Sequence, residues 1–447
     1  MKSGERLAVN NPIKLTYCLH RIYGLPDLKL ILGICLAIPL CLGALNAGAD
    51  DQVDGRDGYV LERVVVVMRH GVRPPTKPAS TMAPLTDAVW PTDQAWGAEP
   101  GELTPHGGLA IRRLGTDLRN YYAGAGLFSA SGSMADQTLI WADRADQRTR
   151  ETGRMLATGL DQDHSHAVPV VWSKAIPDPL FDALSAGVCK LNPDQAQKAV
   201  LATGSLESPK MSAALAKMQT ILAPTACQKG AGICLAGPSE LRATEQEVKI
   251  AGPLSTGATV SEVFLLEYEN GMPMTQVGFG RATAGDIEQL LAIHEYTSNL
   301  TRRTAYIATR RAYVLTKFIL AALAQDMVKS TAPEINSKQR MIVVVGHDTN
   351  LSNLAGVFGL EWHMPDQPDV TAPGTTIAFE RWRDQKSGRA VLKMRLFYQT
   401  MEQVRNLSDT PLRQLSIQPA ACRNSASCEV SSVVDQINAL LPKDCAE

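Results

Sequence analysis

The chain is expected to be an α/β protein: a doubly wound, mixed but mostly parallel sheet flanked by helices, with a smaller helical domain inserted into it. Three observations predict this. Two runs, Val64-Val65-Val66-Val67 and Met341-Ile342-Val343-Val344-Val345, are apolar at every residue, the pattern of strands buried on both faces in the middle of a parallel sheet. Each run stops abruptly in a polar turn, after which a helical pattern begins. From Pro177 to about Lys249, by contrast, Ala, Leu, Lys and Gln dominate and no valine-rich run occurs, which marks a helical insertion. The expected division is a leader at 1–49, a sheet domain in two parts at 50–172 and 286–447, and the inserted domain at 173–285.

With 447 residues the chain can hold two domains, or one core with a large insertion. The formal net charge of −1 gives no global field, so nucleic-acid binding by bulk charge is excluded. An anionic ligand would have to be recognised by a local cluster of Arg and Lys.

The amino terminus differs from the rest. Lys2, Arg6, Lys14, Arg21 and Lys29 precede an apolar run, Leu30 to Leu42, followed by Ala47-Gly48-Ala49 and then Asp50-Asp51. A positive region, a short apolar region and an A-x-A site describe a secretory signal peptide cleaved after Ala49. The apolar run falls short of the ~20 residues needed to span a bilayer, so no stable membrane association is expected after cleavage. Cleavage removes Cys18, Cys35 and Cys41 and leaves Cys189, Cys227, Cys234, Cys422, Cys428 and Cys445. An even set in an oxidising compartment suggests disulfides, with many connectivities open. Proximity favours Cys227 with Cys234 and Cys422 with Cys428, leaving Cys189 to reach Cys445. Zinc is the weaker alternative, because no C-x-x-C pair exists and the histidines lie elsewhere.

The valine run leads directly into Met68-Arg69-His70-Gly71-Val72-Arg73-Pro74-Pro75-Thr76. Open α/β sheets bind ligands at the carboxyl ends of their strands. Two guanidinium forks around one imidazole there suit a phosphate beside a nucleophile. R-H-G-V-R-P-P-T resembles the signature of the histidine acid phosphatases, the branch of the histidine phosphatase superfamily that includes the bacterial periplasmic phytases. Thr76 to Gly101 lacks periodicity and is expected to be an irregular loop over the site. The resemblance implies that Thr76 and Lys77, close behind the motif, help hold a highly phosphorylated substrate.

Thr104-Pro105 should cap and start a helix whose buried stripe is Leu109, Ile111, Leu114 and Leu118, with His106 structural or solvent-facing. Thr138 to Ala142 is expected as a second buried strand, again running into charge at Asp143-Arg144-Ala145-Asp146-Gln147-Arg148-Thr149-Arg150 before a helix through Leu160. This segment is similar to the family's D-x-R-T-x-x-T-G pattern, which puts Arg148 in the phosphate clamp and leaves Arg150 and Arg154 solvated. Arg144 departs from that pattern, standing where related phytases often carry an acid.

Helical runs are expected at Asp194 to Ala202 and Met211 to Leu222, and two helices between about Asp286 and Gln325. Glu262 and Arg281 match positions that face the substrate in phytase-like relatives. The second valine-rich strand ends in Gly346-His347-Asp348-Thr349-Asn350, which resembles the family's second signature and implies a phosphate contact for His347 and a substrate contact for Thr349.

Phosphomonoester hydrolysis needs an in-line nucleophile, positive charge on the equatorial oxygens, and a proton for the departing alcohol. His70 would be the nucleophile, kept neutral by Arg69, Arg73 and Arg148. These arginines and His347 would clamp the phosphoryl group, and Asp348 would be the general acid. An acidic optimum and no metal or other cofactor are expected. The expectation is a secreted, periplasmic, monomeric phytase acting on a small phosphomonoester. The alternatives are a glucose-1-phosphatase or broad acid phosphatase, and an inactive phosphate-ester-binding protein. Gly71 argues against the former, where Asn is expected after the histidine, and the presence of His70 with Asp348 argues against the latter.

Overall fold

The computed structural model describes residues 58–128, 133–161, 167–229, 233–325, 335–425 and 427–445. The leader, with Cys18, Cys35 and Cys41, lies outside the described residues. Among these the strands are β1 (Tyr59–Arg69), β2 (Thr138–Ala142), β3 (Val170–Val171), β4 (Glu240–Ala243), β5 (Val248–Ala251), β6 (Met341–Gly346), β7 (Thr376–Asp384), β8 (Ala390–Tyr398) and β9 (Arg413–Ile417). Seven of them form one mixed sheet in the order β3-β2-β6-β1-β7-β8-β9. The first four in that order are mutually parallel, and β7, β8 and β9 are added antiparallel at the β1 side.

Helices α1 (Pro105–Gly124), α2 (Gln147–Leu160), α3 (Pro253–Glu269), α4 (Ala284–Ser298) and α5 (Asp348–Phe358) cover the sheet or carry side chains to its end. Alternation along β1 explains why every valine is buried. Val64, Val66 and Met68 pack with Ile111, Leu114 and Leu156 of α1 and α2, whereas Val65 and Val67 pack with Leu315, Ile319, Leu351 and Leu354 on the opposite face. Both faces are therefore covered by helices, as a continuous β-branched run requires. Thr104 caps α1 as expected, its hydroxyl accepting from the Gly107 amide at 2.9 Å. Leu109 is not part of the buried stripe: it is 45% exposed, and Ile111, Leu114 and Leu118 fill the contact instead.

Residues 173–285 form helices at Pro193–Thr203, Pro209–Leu222 and α3, and also the β4–β5 hairpin. Composition did not signal that hairpin, whose strands are half exposed and mix charge with isolated apolar residues. The stretch read as two helices after Asp286 is α4, a π turn at Asn299–Arg303, and helices Ala305–Arg311 and Tyr313–Ala324. The break coincides with the docking of α5. A Cβ on Gly356 would lie 2.3 Å from the Arg303 carbonyl oxygen, so the backbones touch there and only glycine fits. Disulfides join Cys189 to Cys445, Cys227 to Cys234 and Cys422 to Cys428.

Two core carboxyls on α3 have no cation partner among the described residues. Glu267 of α3 accepts the Gly278 amide at 2.8 Å through Oε2, and its other oxygen has no partner among the described residues; burial pushes its pKa up to about 8. Glu269, bonded to Gln367 at 2.9 Å, is likewise raised to about 8 by burial. A folded-state pKa above the unfolded value stabilises fully below about 4.5 and loses that contribution as pH rises through 8. For a shift of this size the loss is about 5 kcal/mol at most. Glu267→Gln keeps the acceptor and cannot ionise. It should therefore raise the melting temperature by several degrees at about pH 8 and leave it unchanged near pH 4, as calorimetry at the two pH values would show.

Candidate active site

Three neighbouring parallel strands, β2, β6 and β1, end on the same edge of the sheet, and each delivers charge there. At the end of β1 the His70 amide donates to the Gly346 carbonyl at 3.0 Å, which ties the first motif to the strand that carries the second. Gly71 is required next. A Cβ there would sit 2.8 Å from both Ile111 Cγ1 and Leu103 Cδ1 and 3.1 Å from the Gly107 carbonyl oxygen. The turn after His70 is thus pressed onto the start of α1.

His70 is buried, and its Nδ1 lies 2.8 Å from the Gly71 carbonyl oxygen. A carbonyl only accepts, so Nδ1 carries the proton and Nε2 keeps its lone pair. Burial, then Arg148, Arg69, Arg73 and His347, hold the imidazole pKa well below its ordinary value. The ring is neutral even in acid. The His347 ring stands edge-on, 5.6 Å away between centroids.

The arginines are positioned by acids. Arg69 is fully buried, donates to the Thr371 carbonyl at 2.7 Å and Asp369 at 3.2 Å, and pairs with Glu262. Arg73 reaches the same Glu262 at 3.2 Å. Arg148 forms two 2.8 Å bonds to Asp146. Each of these three guanidinium groups keeps a buried Nε–H with no partner among the described residues. Such unspent donors around a neutral imidazole suit an oxyanion.

His347 Nε2 lies 3.0 Å from Asp143 and 3.4 Å from Asp146. Burial works to raise Asp143, but the hydrogen bond from His347 and the Ala145 amide outweigh it and keep this carboxyl ionised. These three side chains place ligand atoms within 4.8 Å of one another. The set is not free for a cation, since Arg148 already occupies Asp146.

Asp348 opens α5, with Oδ1 accepting the Thr349 amide at 2.9 Å. Its other oxygen pairs with Arg302 from the π turn and faces His294 Nε2 of α4 at 3.6 Å. Burial would raise its pKa, but Arg302, His294 and Arg69 outweigh burial and hold it well below the usual carboxylate range. His294 is shifted the other way. Burial lowers it, and Asp369, Asp348 and Glu262 more than restore it, so it is a cation in acid.

The expected residues Arg69, His70, Arg73, Arg148, His347 and Asp348 thus converge. Thr76 and Lys77 line a cavity of about 310 Å³ with Arg73 and Glu262, and Thr349 lines one of about 280 Å³ with Glu262, Asp348 and Arg302. Arg281 lines neither, its guanidinium being engaged by Asp87 at 2.6 Å and the Ile221 carbonyl at 3.0 Å. His106 is structural, bonded to the Val404 carbonyl at 2.8 Å. Sequence reasoning gave no role to His294, Arg302, Asp143 or Asp369. Asp143 stood in a quoted motif, while Asp369, His294 and Arg302 carry no local signal.

The model of the histidine phosphatase superfamily (branch 2) matches residues 60–398. The chain belongs to this family. It is 33% identical to phytase AppA of Escherichia coli K12 over 427 residues, covering 91% of this chain and 96% of that relative. It is 26% identical over 399 residues to a glucose-1-phosphatase of Salmonella typhimurium, covering 87% and 94%. Among solved structures, the Hafnia alvei phytase in complex with myo-inositol hexakis sulphate has a TM-score of 0.79 at 30% identity, covering 88% of this chain and 99% of that one. The Citrobacter braakii phytase has a TM-score of 0.78 at 32% identity, covering 87% and 99%.

Proposed function

We propose that this histidine phosphatase hydrolyses phosphomonoesters in acid through a phosphohistidine, with phytate as its substrate. The observation that carries the reading is the neutral His70, its Nε2 lone pair free, ringed by three arginines that each retain an unspent buried donor. His70 Nε2 attacks phosphorus and the ester P–O bond breaks. Arg69, Arg73, Arg148 and His347 stabilise the phosphoryl oxygens, and protonated Asp348 gives its proton to the departing alkoxide. Water then attacks phosphorus, the P–N bond breaks, and the Asp348 carboxylate takes the water's proton. The arginines supply the charge that a metal supplies elsewhere, so none is required.

Two features favour phytate over a sugar monophosphate. Lys77 extends the positive rim beyond the clamp, with the Thr76 hydroxyl beside it. Gly71, packed against Leu103, Gly107 and Ile111, stands where asparagine is expected in glucose-1-phosphatases. Export to the periplasm is part of the proposal, supported by the leader sequence and the disulfides. Among the described residues no helix is long and apolar enough to cross a membrane.

The test is phosphate release from phytate and from glucose-1-phosphate, with EDTA present, between about pH 3 and 6. Phytate turnover that survives EDTA is the expected result. Release from glucose-1-phosphate alone would reassign the substrate, and release from no ester would leave a binding protein.

A further inference from the structure

The resting site holds its proton donor in the wrong state. Asp348 must be protonated to release an alkoxide, yet its Oδ2 is paired with Arg302 and faced by the cationic His294. Other charges near it do not cancel this. Arg69 and Arg148 add positive charge from β1 and α2, and Glu262 from α3 is itself committed to Arg69 and Arg73.

The backbone that carries Arg302 is fixed against α5. Asn353 of α5, the helix that Asp348 begins, donates to the Arg302 carbonyl at 2.7 Å, and the next residue is pressed against Gly356 of the same helix. The Arg302 side chain, 29% exposed, lines the 280 Å³ cavity beside Asp348, whose walls also carry Lys249, Arg311 and Thr349. This cavity shares Ser255, Thr259 and Glu262 with the Lys77 cavity, so the two are lobes of one cleft on either side of Glu262.

We propose that Arg302 is a specificity-determining residue: a second phosphate on the substrate enters this lobe, takes the Arg302 guanidinium from Asp348, and so frees the buried carboxyl to become the proton donor. A phosphate dianion outcompetes a carboxylate for a guanidinium fork, through both charge and bidentate geometry. Once Arg302 is shared, burial and the nearby dianion both favour protonated Asp348. An ester with one phosphate, seated on His70, leaves the Arg302 pair intact and reacts slowly. Selectivity for polyphosphorylated substrates then resides in the chemical step as well as in binding. The inference rests on the phosphatase reading given above.

The experiment compares wild type with Arg302→Gln and Arg302→Lys on phytate, glycerol-2-phosphate and p-nitrophenyl phosphate, across the acidic pH range. The Gln variant should raise kcat on glycerol-2-phosphate several-fold and move the pH limb set by Asp348 upward on that substrate. It should lower kcat/KM for phytate about tenfold, and change the pre-steady-state release of p-nitrophenol from p-nitrophenyl phosphate little, because that step needs no proton. The Lys variant should fall between. Equal losses on phytate and glycerol-2-phosphate, or an unmoved pH limb, would overturn the proposal. If the Gln variant melts far below wild type, the Lys variant decides by the same criteria. Failure of wild type to release phosphate from any ester sinks the phosphatase reading instead, and is distinguishable because it precedes any comparison of variants.

Discussion

His70→Ala is expected to abolish turnover, by a factor on the order of 10⁴ or more, on every phosphate ester tested. The loss should be independent of leaving group, since no substrate can bypass a missing nucleophile. Base-quenched enzyme should carry an acid-labile phosphoryl label in wild type and none in the variant. A stability signature separates this chemical loss from misfolding. Wild-type His70 stays neutral because burial and three arginines depress its pKa, so below about pH 6.5 the unfolded chain binds a proton that the native state refuses. Native stability is thereby eroded by up to about 1.4 kcal/mol per pH unit as pH falls. His70→Ala removes this cost, so its melting temperature relative to wild type should improve from pH 7 to pH 4. A labelled His70→Ala protein would remove His70 from the nucleophile's role.

How much of this was legible in the sequence follows from which contacts are local. The parallel half of the sheet could be read because β1, β2 and β6 are buried on both faces, and unbroken β-branched runs have few other uses. The motifs could be placed because each begins where its strand ends. The antiparallel edge was not read as strand. In β7, Phe379-Glu380-Arg381-Trp382-Arg383 mixes apolar and charged side chains without a period of two, and one charge is in the core: Glu380 is fully buried, accepting from Tyr122 at 3.2 Å and Trp382 at 3.0 Å. A buried carboxylate with partners from α1 and from its own strand has no signature in a local window. The environment of Asp348 was illegible for the same reason. Burial alone would raise its pKa; Arg302 and His294, brought in by the π turn and α4, reverse that direction. The same distance hid the partners of Arg69, which lie on α3 and in the loop before β7.

Asp348→Asn should separate the two halves of the reaction. Asparagine keeps the size and can still accept the Thr349 amide, but it neither donates a proton to an alkoxide nor accepts one from water. Loss of general acid catalysis is worth about 10²–10⁴ in rate, and the whole of it should appear in kcat for phytate or glycerol-2-phosphate, whose leaving alkoxides need the proton. With p-nitrophenyl phosphate the first step needs no acid, so phosphoryl transfer to His70 should proceed while hydrolysis of the P–N bond stalls. A burst of one equivalent of p-nitrophenol per enzyme, followed by slow release of phosphate, is the expected course. The variant should accumulate more phosphohistidine than wild type, because its breakdown is the slowed step. Asp348 also lends stability through its depressed pKa, a contribution present above its unfolded value of about 3.8 and lost as pH falls through the folded one. Replacing it should therefore cost stability near neutrality, by leaving Arg302 without its partner, and progressively less toward strong acid. If the burst is absent and both substrates slow equally, Asp348 supports the fold of the site without handling the proton.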